Sequence, residues 1–204
     1  MIVKESTLEI SATMVKDLRD KTNAGMMDCK KALQETSGDM EKAVDLLRQK
    51  GLAKAMKRSG KEASEGMIHS YIHGGGRIGV LVEVNCETDF AAKSADFVDF
   101  TKNIALHIAA STPLGVEKKD IPEEIIQRER AIYLAQARET GKPENILEKM
   151  VDGKIRKFYE ESVLLEQAYV KDPDKSIQDY LNELVAKIGE KIIIRRFSRY
   201  QLGE

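Results

Sequence analysis

Cysteine is scarce in this chain: two in 204 residues, Cys29 and Cys86. They lie far apart, and neither has a second ligand at zinc spacing. Both read as reduced thiols of a cytosolic protein. Net charge is nearly absent as well, at -1 from 33 Lys+Arg and 34 Asp+Glu. A nucleic-acid binder carries a basic excess or stripe. The tightest basic cluster here, Arg195-Arg196 with Arg199, sits in an apolar stretch that reads as a strand, so nucleic acid is not an expected partner. No apolar run reaches transmembrane length, and Met1–Glu5 lacks the basic-then-apolar opening of a signal peptide. The expected location is cytoplasmic, with no membrane partner.

Catalytic signatures are missing too. There is no GxxxxGK[ST] loop, no GxSxG elbow and no HExxH. Gly74-Gly75-Gly76 does not run into a helix, so it cannot cradle a phosphate at a helix terminus; it reads as a hairpin turn. His69 and His73 share one strand face, but no third ligand accompanies them, and no metal or cofactor is expected. Glu87 and Asp89 can be imagined as paired carboxylates, with a solvated turn as the plainer reading. A chain of this size without a nucleophile–base pair reads as a binding protein and not as an enzyme.

What is present is a soluble globular composition, 42% hydrophobic and 33% charged. Residues 11–51 read as three short helices. Ser11 caps the first, whose inner face is Met14, Val15 and Leu18. Thr22-Asn23-Ala24-Gly25 breaks it, with Gly25 available for a positive φ. A second helix spans roughly Asp28 to Glu35. Asp39 caps a third, carrying Met40, Ala43, Val44 and Leu47, and Gly51 ends it. The Lys- and Ala-rich stretch that follows reads as a connecting helix or linker. The expected domains are therefore a head at 1–55, a linker at 56–65 and a core at 66–204.

In the core, Met67–Tyr71 and Ile78–Asn85 read as a hairpin, with Ile78, Val80, Val82 and Val84 on one face of the second strand and Leu81 on the other. Asn85–Lys93 leaves the strand. Ser94 caps a helix to about Ala110, where Phe97, Phe100, Ile104, His107 and Ile108 share a face. Pro122 opens another helix. After the Gly141-Lys142-Pro143 turn comes a helix with Leu147, Val151, Ile155 and Phe158 inward. This makes an antiparallel helical hairpin near 122–160. Ser176 begins a last helix, Gly189 closes it, and Glu190–Tyr200 reads as a strand. The class is α+β: a helical head, then a small antiparallel sheet packed against several helices.

Two stretches then carry a resemblance: Leu18–Leu33 (LRDKTNAGMMDCKKAL) and Glu83–Phe90 (EVNCETDF). Both resemble the signature segments of bacterial elongation factor Ts, the exchange factor for elongation factor Tu. His73–Val82, Ile104–Ser111, Gly141–Phe158 and Ile188–Phe197 match in the same order. Longer family members have a core of two related halves. Here the glycine hairpin that resembles one half runs directly into the Asp89-Phe90 segment that resembles the other, so this looks like the short form with one merged core unit. That resemblance implies a two-fold homodimer.

The resemblance also implies roles. The head is similar to a ubiquitin-associated fold and would grip the nucleotide domain of elongation factor Tu through Leu18, Arg19, Gly25, Met26 and Met27. Thr88, Asp89 and Phe90 would form the wedge that disturbs the partner's magnesium and phosphate site and releases GDP. His107 falls on a core histidine near the partner; its place on the apolar stripe makes a structural role equally open. Family members usually have valine where this chain has Ala91, a smaller contact. Two rivals stand beside this reading. One is a peptide- or ubiquitin-binding adaptor working through the head alone. The other is a small enzyme using a core His or Glu.

Overall fold

The computed structural model describes residues 10–22, 24–58 and 60–204, with side chains at all of these except 52–58. The first nine residues of the expected head, its Asn23, and Ser59 of the expected linker lie outside the described residues.

Ser11 opens the first helix, its Oγ accepting from the Met14 amide at 3.2 Å, which satisfies one of the orphan donors of a helix start. Helix α1 (Ala12–Thr22) buries Val15 and Leu18; α2 (Met26–Glu35) buries Cys29, Ala32 and Leu33. Gly38, at φ 82, closes α2 by donating to the Leu33 carbonyl at 2.8 Å. Asp39 then caps α3 (Met40–Arg58), accepting from the Lys42 amide at 3.1 Å. The inward residues of the three helices form one cluster, joined by Ala43 and Leu47.

The expected stop at Gly51 does not occur. Helix α3 runs through it to Arg58. A Cβ at Gly51 would lie 3.7 Å from the Ala186 Cβ, so glycine here permits close approach of two backbones instead of ending a helix. The residues beyond it, Leu52-Ala53-Lys54-Ala55-Met56-Lys57-Arg58, are strong helix formers and carry the helix past one glycine.

Downstream come β1 (Glu65–His73), β2 (Ile78–Cys86), the short α4 (Asp89–Ala92), α5 (Ala95–Ser111), α6 (Glu123–Arg138), α7 (Glu144–Ser162), β3 (Ala168–Tyr169), β4 (Asp172–Ser176), α8 (Ile177–Ile188) and β5 (Ile192–Gln201). Strands β1, β2 and β5 make a three-stranded antiparallel sheet in the order β1-β2-β5. The β1–β2 turn uses Gly74, Gly75 and Gly76, all at positive φ, a conformation that side chains with a Cβ disfavour. Val80, Val82 and Val84 are buried while Leu81 is exposed, the alternation expected of a one-sided strand. A second, two-stranded sheet pairs β3 antiparallel with β4, Tyr169 opposite Asp172 and Ala168 opposite Ser176. This hairpin is an addition to the expected elements.

Helices α6 and α7 form the expected antiparallel pair. Arg130 reaches Asp152 at 2.8 Å, and Ala137, Leu147, Val151 and Ile155 share a cluster. The α+β architecture read from the sequence, three N-terminal helices and then a small antiparallel sheet with helices, is what the structure shows. By its internal contacts the chain divides into two compact units. One comprises the chain up to Gly66 with Cys86–Phe97 and Leu181–Ile193; the other comprises Met67–Asn85, Val98–Tyr180 and Ile194–Glu204. The three-helix head and the Thr88–Phe90 segment thus belong to the same unit.

Candidate partner-binding site

Strand β2 ends at Cys86, and the chain does not continue as an open turn. Thr88, in extended conformation, caps α4 by accepting from the Ala91 amide at 3.2 Å. Asp89 and Phe90 occupy the first turn. This corrects the plainer expectation of a solvated turn: a four-residue helix carries Phe90. Successive residues of a helix are about 100° apart around its axis. Ala91 and Ala92 face inward and are buried, which turns Phe90 outward with 85% of its surface exposed. Ala91, expected as a smaller contact, therefore lies on the anchored side of the turn. Ser94 closes the segment, its hydroxyl donating to the Ala91 carbonyl at 2.7 Å and accepting from the Phe97 amide at 3.3 Å.

The two carboxylates imagined as a pair go separate ways. Asp89 pairs with Lys93 at 2.7 Å, and this hydrogen bond and charge hold its carboxyl below the usual range. Both groups are exposed, so the bridge adds little stability. Glu87 instead accepts from the Lys191 amide at 2.6 Å. Beneath the segment, Cys86 is buried and donates to the Thr88 carbonyl at 3.1 Å; burial pushes its thiol up to about 11. Cys29 is also a buried free thiol.

In the head, Met26 and Met27 open α2 and are exposed by 47% and 63%. Arg19 is exposed on α1. Leu18 is not: it is fully buried in the head cluster, next to Arg19 on α1. Gly25 is exposed and caps α2 at φ -61 and ψ 141. The positive φ expected there is absent, because a helix N-cap takes an extended backbone. A Cβ at Gly25 would find only Asp28 Oδ2, at 3.6 Å.

His107 is fully buried. Its Nε2 pairs with Gln167 Oε1 at 2.9 Å, and its Nδ1 accepts from the Val170 amide at 3.3 Å, an arrangement that fits the neutral ring with the proton on Nε2. Burial lowers its pKa, opposed by the Gln167 bond. Gln167 goes on to donate to the carbonyls of Ser111 and Glu161. Through these bonds His107 ties α5 to the β3–β4 hairpin.

Two of the three arginines of the basic cluster have acidic neighbours. Arg196 bonds Glu83 at 2.7 Å, and Arg199 lies 3.3 Å from Glu204. Among the described residues, no group of three or more His, Cys, Asp or Glu could hold a metal ion. No described helix is long and apolar enough to cross a membrane.

One residue at this site escaped the sequence reading. Glu190 accepts from the Glu87 amide at 3.2 Å, the Thr88 amide at 3.0 Å and the Thr88 hydroxyl at 2.7 Å. It lies 102 residues from Thr88, beyond the reach of any local pattern.

Phe90, Met26 and Met27 hold large apolar side chains in water on the first turns of helices, an arrangement that suits docking on another protein. The class defined here is thus a protein-binding factor. The family model described as Elongation factor TS matches residues 3–204. Curated proteins named Elongation factor Ts are similar over nearly the whole chain. The protein of Syntrophobacter fumaroxidans is 78% identical over 197 residues, covering 97% of this chain and 98% of that relative. The protein of Desulfosudis oleivorans is 63% identical over 195 residues, covering 96% and 98%. The protein of Moorella thermoacetica is 59% identical over 195 residues, covering 96% of each. The chain belongs to the elongation factor Ts family, and its role is guanine-nucleotide exchange on elongation factor Tu in translation elongation.

Proposed function

We propose that this exchange proceeds in the cytoplasm without a covalent step, with Phe90 as the wedge and the head as the grip. Residues 1–55 hold the nucleotide domain of elongation factor Tu through Arg19, Met26 and Met27. Residues 56–65 connect them to the core at 66–204. Thr88 caps the turn, and Asp89 and Phe90 enter beside the partner's magnesium and phosphate site. The observation that carries this reading is the Phe90 ring, 85% exposed on a turn whose next two residues are buried. Burying a ring of this size yields about 1.5–3 kcal/mol. If the pocket beneath it opens only when the nucleotide site is vacant, that energy weakens GDP by about one to two decades, since about 1.4 kcal/mol is tenfold.

The core is proposed to dimerise. Ile68, Ile72 and Leu81 are exposed large apolar residues of the β1–β2 hairpin. Ile72 lies over Gly79, 3.5 Å from where a Cβ would sit, which places it on the Leu81 face of the hairpin. An apolar sheet face of this kind suits a second copy.

Coupling between two ligands is reciprocal. The test is to measure affinity of the chain for nucleotide-free and GDP-loaded elongation factor Tu, alongside release of fluorescent GDP in a stopped-flow mixer. The expected result is faster release and an affinity lowered by GDP in the same proportion as GDP affinity is lowered by the chain. Equal affinity for the two forms of the GTPase would overturn the proposal. Light scattering on the free chain reads the dimer directly.

A further inference from the structure

We propose that Glu190 is a positioning residue for exchange: its carboxylate clamps the Glu87–Thr88 backbone and so fixes the direction in which Phe90 is presented. The inference rests on the wedge reading of Phe90 given above.

The geometry is built from both sides. Helix α8 ends at Ile188, and Gly189, at φ 79, donates to the Val185 carbonyl at 2.9 Å. A left-handed residue just past a helix reverses the chain, and Glu190 comes next. One of its oxygens accepts both the Glu87 and Thr88 amides; the other accepts the Thr88 hydroxyl. That hydroxyl oxygen in turn accepts from Ala91, so Glu190 orients the group that caps α4. The bond is answered in the opposite direction, with the Lys191 amide donating to Glu87. Four hydrogen bonds thus join the Glu87-Thr88 pair to the Glu190-Lys191 pair. The Lys191 ammonium also donates to the Lys61 carbonyl at 2.6 Å, on the segment that leads out of the head. All of these residues lie within one compact unit.

The clamp answers a mechanical problem. A single helical turn is too short to hold its own shape in water, and Asp89 and Phe90 bury nothing themselves. A ring that samples many directions loses the advantage of being held ready for its pocket. Charged acceptors make the stronger hydrogen bonds, and a carboxylate can take all three of these donors at once. Removing it leaves the capping hydroxyl and two amides to be satisfied by water, and the turn loses its fixed entry angle.

The experiment compares the full-length chain with Glu190→Ala, Glu190→Gln, Phe90→Ala and the double variant Glu190→Ala/Phe90→Ala. Amide hydrogen exchange is read first, without any partner. Glu190→Ala is expected to speed exchange at Thr88 and Ala91 by about tenfold while α8 amides change less than about twofold. Unchanged exchange at Thr88 and Ala91 would overturn the clamp whatever Phe90 does. GDP release from elongation factor Tu is read second. Glu190→Ala should lower the maximal release rate about tenfold at saturating factor, with the half-saturating concentration moved less than about threefold.

In the Phe90→Ala background the same change should add less than about twofold, because residues acting as one device are not additive. A full additional loss there would mean that Glu190 acts through something other than the ring, and would overturn the proposal. Glu190→Gln, which keeps the size and one acceptor, should fall between parent and alanine variant. If it did not, and the alanine variant had lost its circular dichroism signal, the residue would be a fold determinant only. Failure of the wedge reading is separately visible: Phe90→Ala would leave release unchanged while the exchange pattern still reported a working clamp.

Discussion

Replacing Phe90 by alanine isolates the proposed wedge with little disturbance to the fold. The ring keeps 85% of its surface in water, so nearly all of the area it can bury remains for a partner. Full burial of a phenylalanine side chain is worth about 1.5–3 kcal/mol; scaled by the exposed fraction, about 1.3–2.5 kcal/mol is at stake on docking. At about 1.4 kcal/mol per tenfold, Phe90→Ala should slow GDP release by roughly one to two decades. The free chain should scarcely notice. Exposed substitutions usually stay within about 0.5 kcal/mol, and alanine is the better helix former in α4. The assay is stopped-flow release of fluorescent GDP from elongation factor Tu, with circular dichroism and a thermal melt of the variant alone. A release rate within about twofold of the parent would refute the reasoning. So would a lost fold, because it would show that the ring is needed by the chain itself.

Three buried groups give further tests. Cys86 is buried with its thiol pushed up to about 11, and Cys29 is raised by burial too. Thiolate is the reactive form, so a disulfide reagent at pH 8 should label neither until denaturant is added; rapid labelling of the native chain would contradict the burial. His107 has a folded pKa lowered from 6.5, mainly by burial. The unfolded chain then binds the extra proton first, so stability is complete above about pH 6.5 and falls as pH drops through and below it. The thermal midpoint should fall from pH 7.5 to pH 5.5 more steeply in the parent than in His107→Gln, and equal slopes would refute the assignment.

How much of this was legible in the chain depended on the range of the interactions. Caps act within three residues, and Ser11, Asp39 and Ser94 each take the helix start that their position announces. The alternation of Val80, Val82 and Val84 needs no partner to be read. Glycine is ambiguous by nature. At Gly189 it takes the left-handed turn, but Gly51 serves close packing inside α3 and Gly25 serves an extended cap. Helix α4 is too short for any period to show, and β3 is a two-residue strand. Leu18 falls on both the inner stripe and the proposed grip, and in the free chain it fills the core, as an apolar residue at that spacing does. The Glu190 clamp spans about half the chain, and only the fold reveals it.

The proposed grip and wedge are separable by one further measurement, because they would do different thermodynamic work. A contact made equally in the GDP-bound and vacant GTPase raises affinity for both and shifts nothing between them; only a contact that differs weakens the nucleotide. Met26 and Met27, open on the first turn of α2, can each bury about 1 kcal/mol of apolar surface. The pair Met26→Ala/Met27→Ala should therefore weaken binding roughly tenfold to thirtyfold in both states of the partner, leaving their ratio alone. Phe90→Ala should do the reverse, collapsing the ratio towards one. The substitutions are a cleaner probe than removal of residues 1–55, which would cut α3 inside its last turn and uncover the face of α8 that Gly51 packs against. Calorimetry on the nucleotide-free and GDP-loaded GTPase reads all four affinities. If the methionine pair changed the ratio as much as the ring does, the head would be part of the release device, and the division of labour argued from the exposed turn would be wrong.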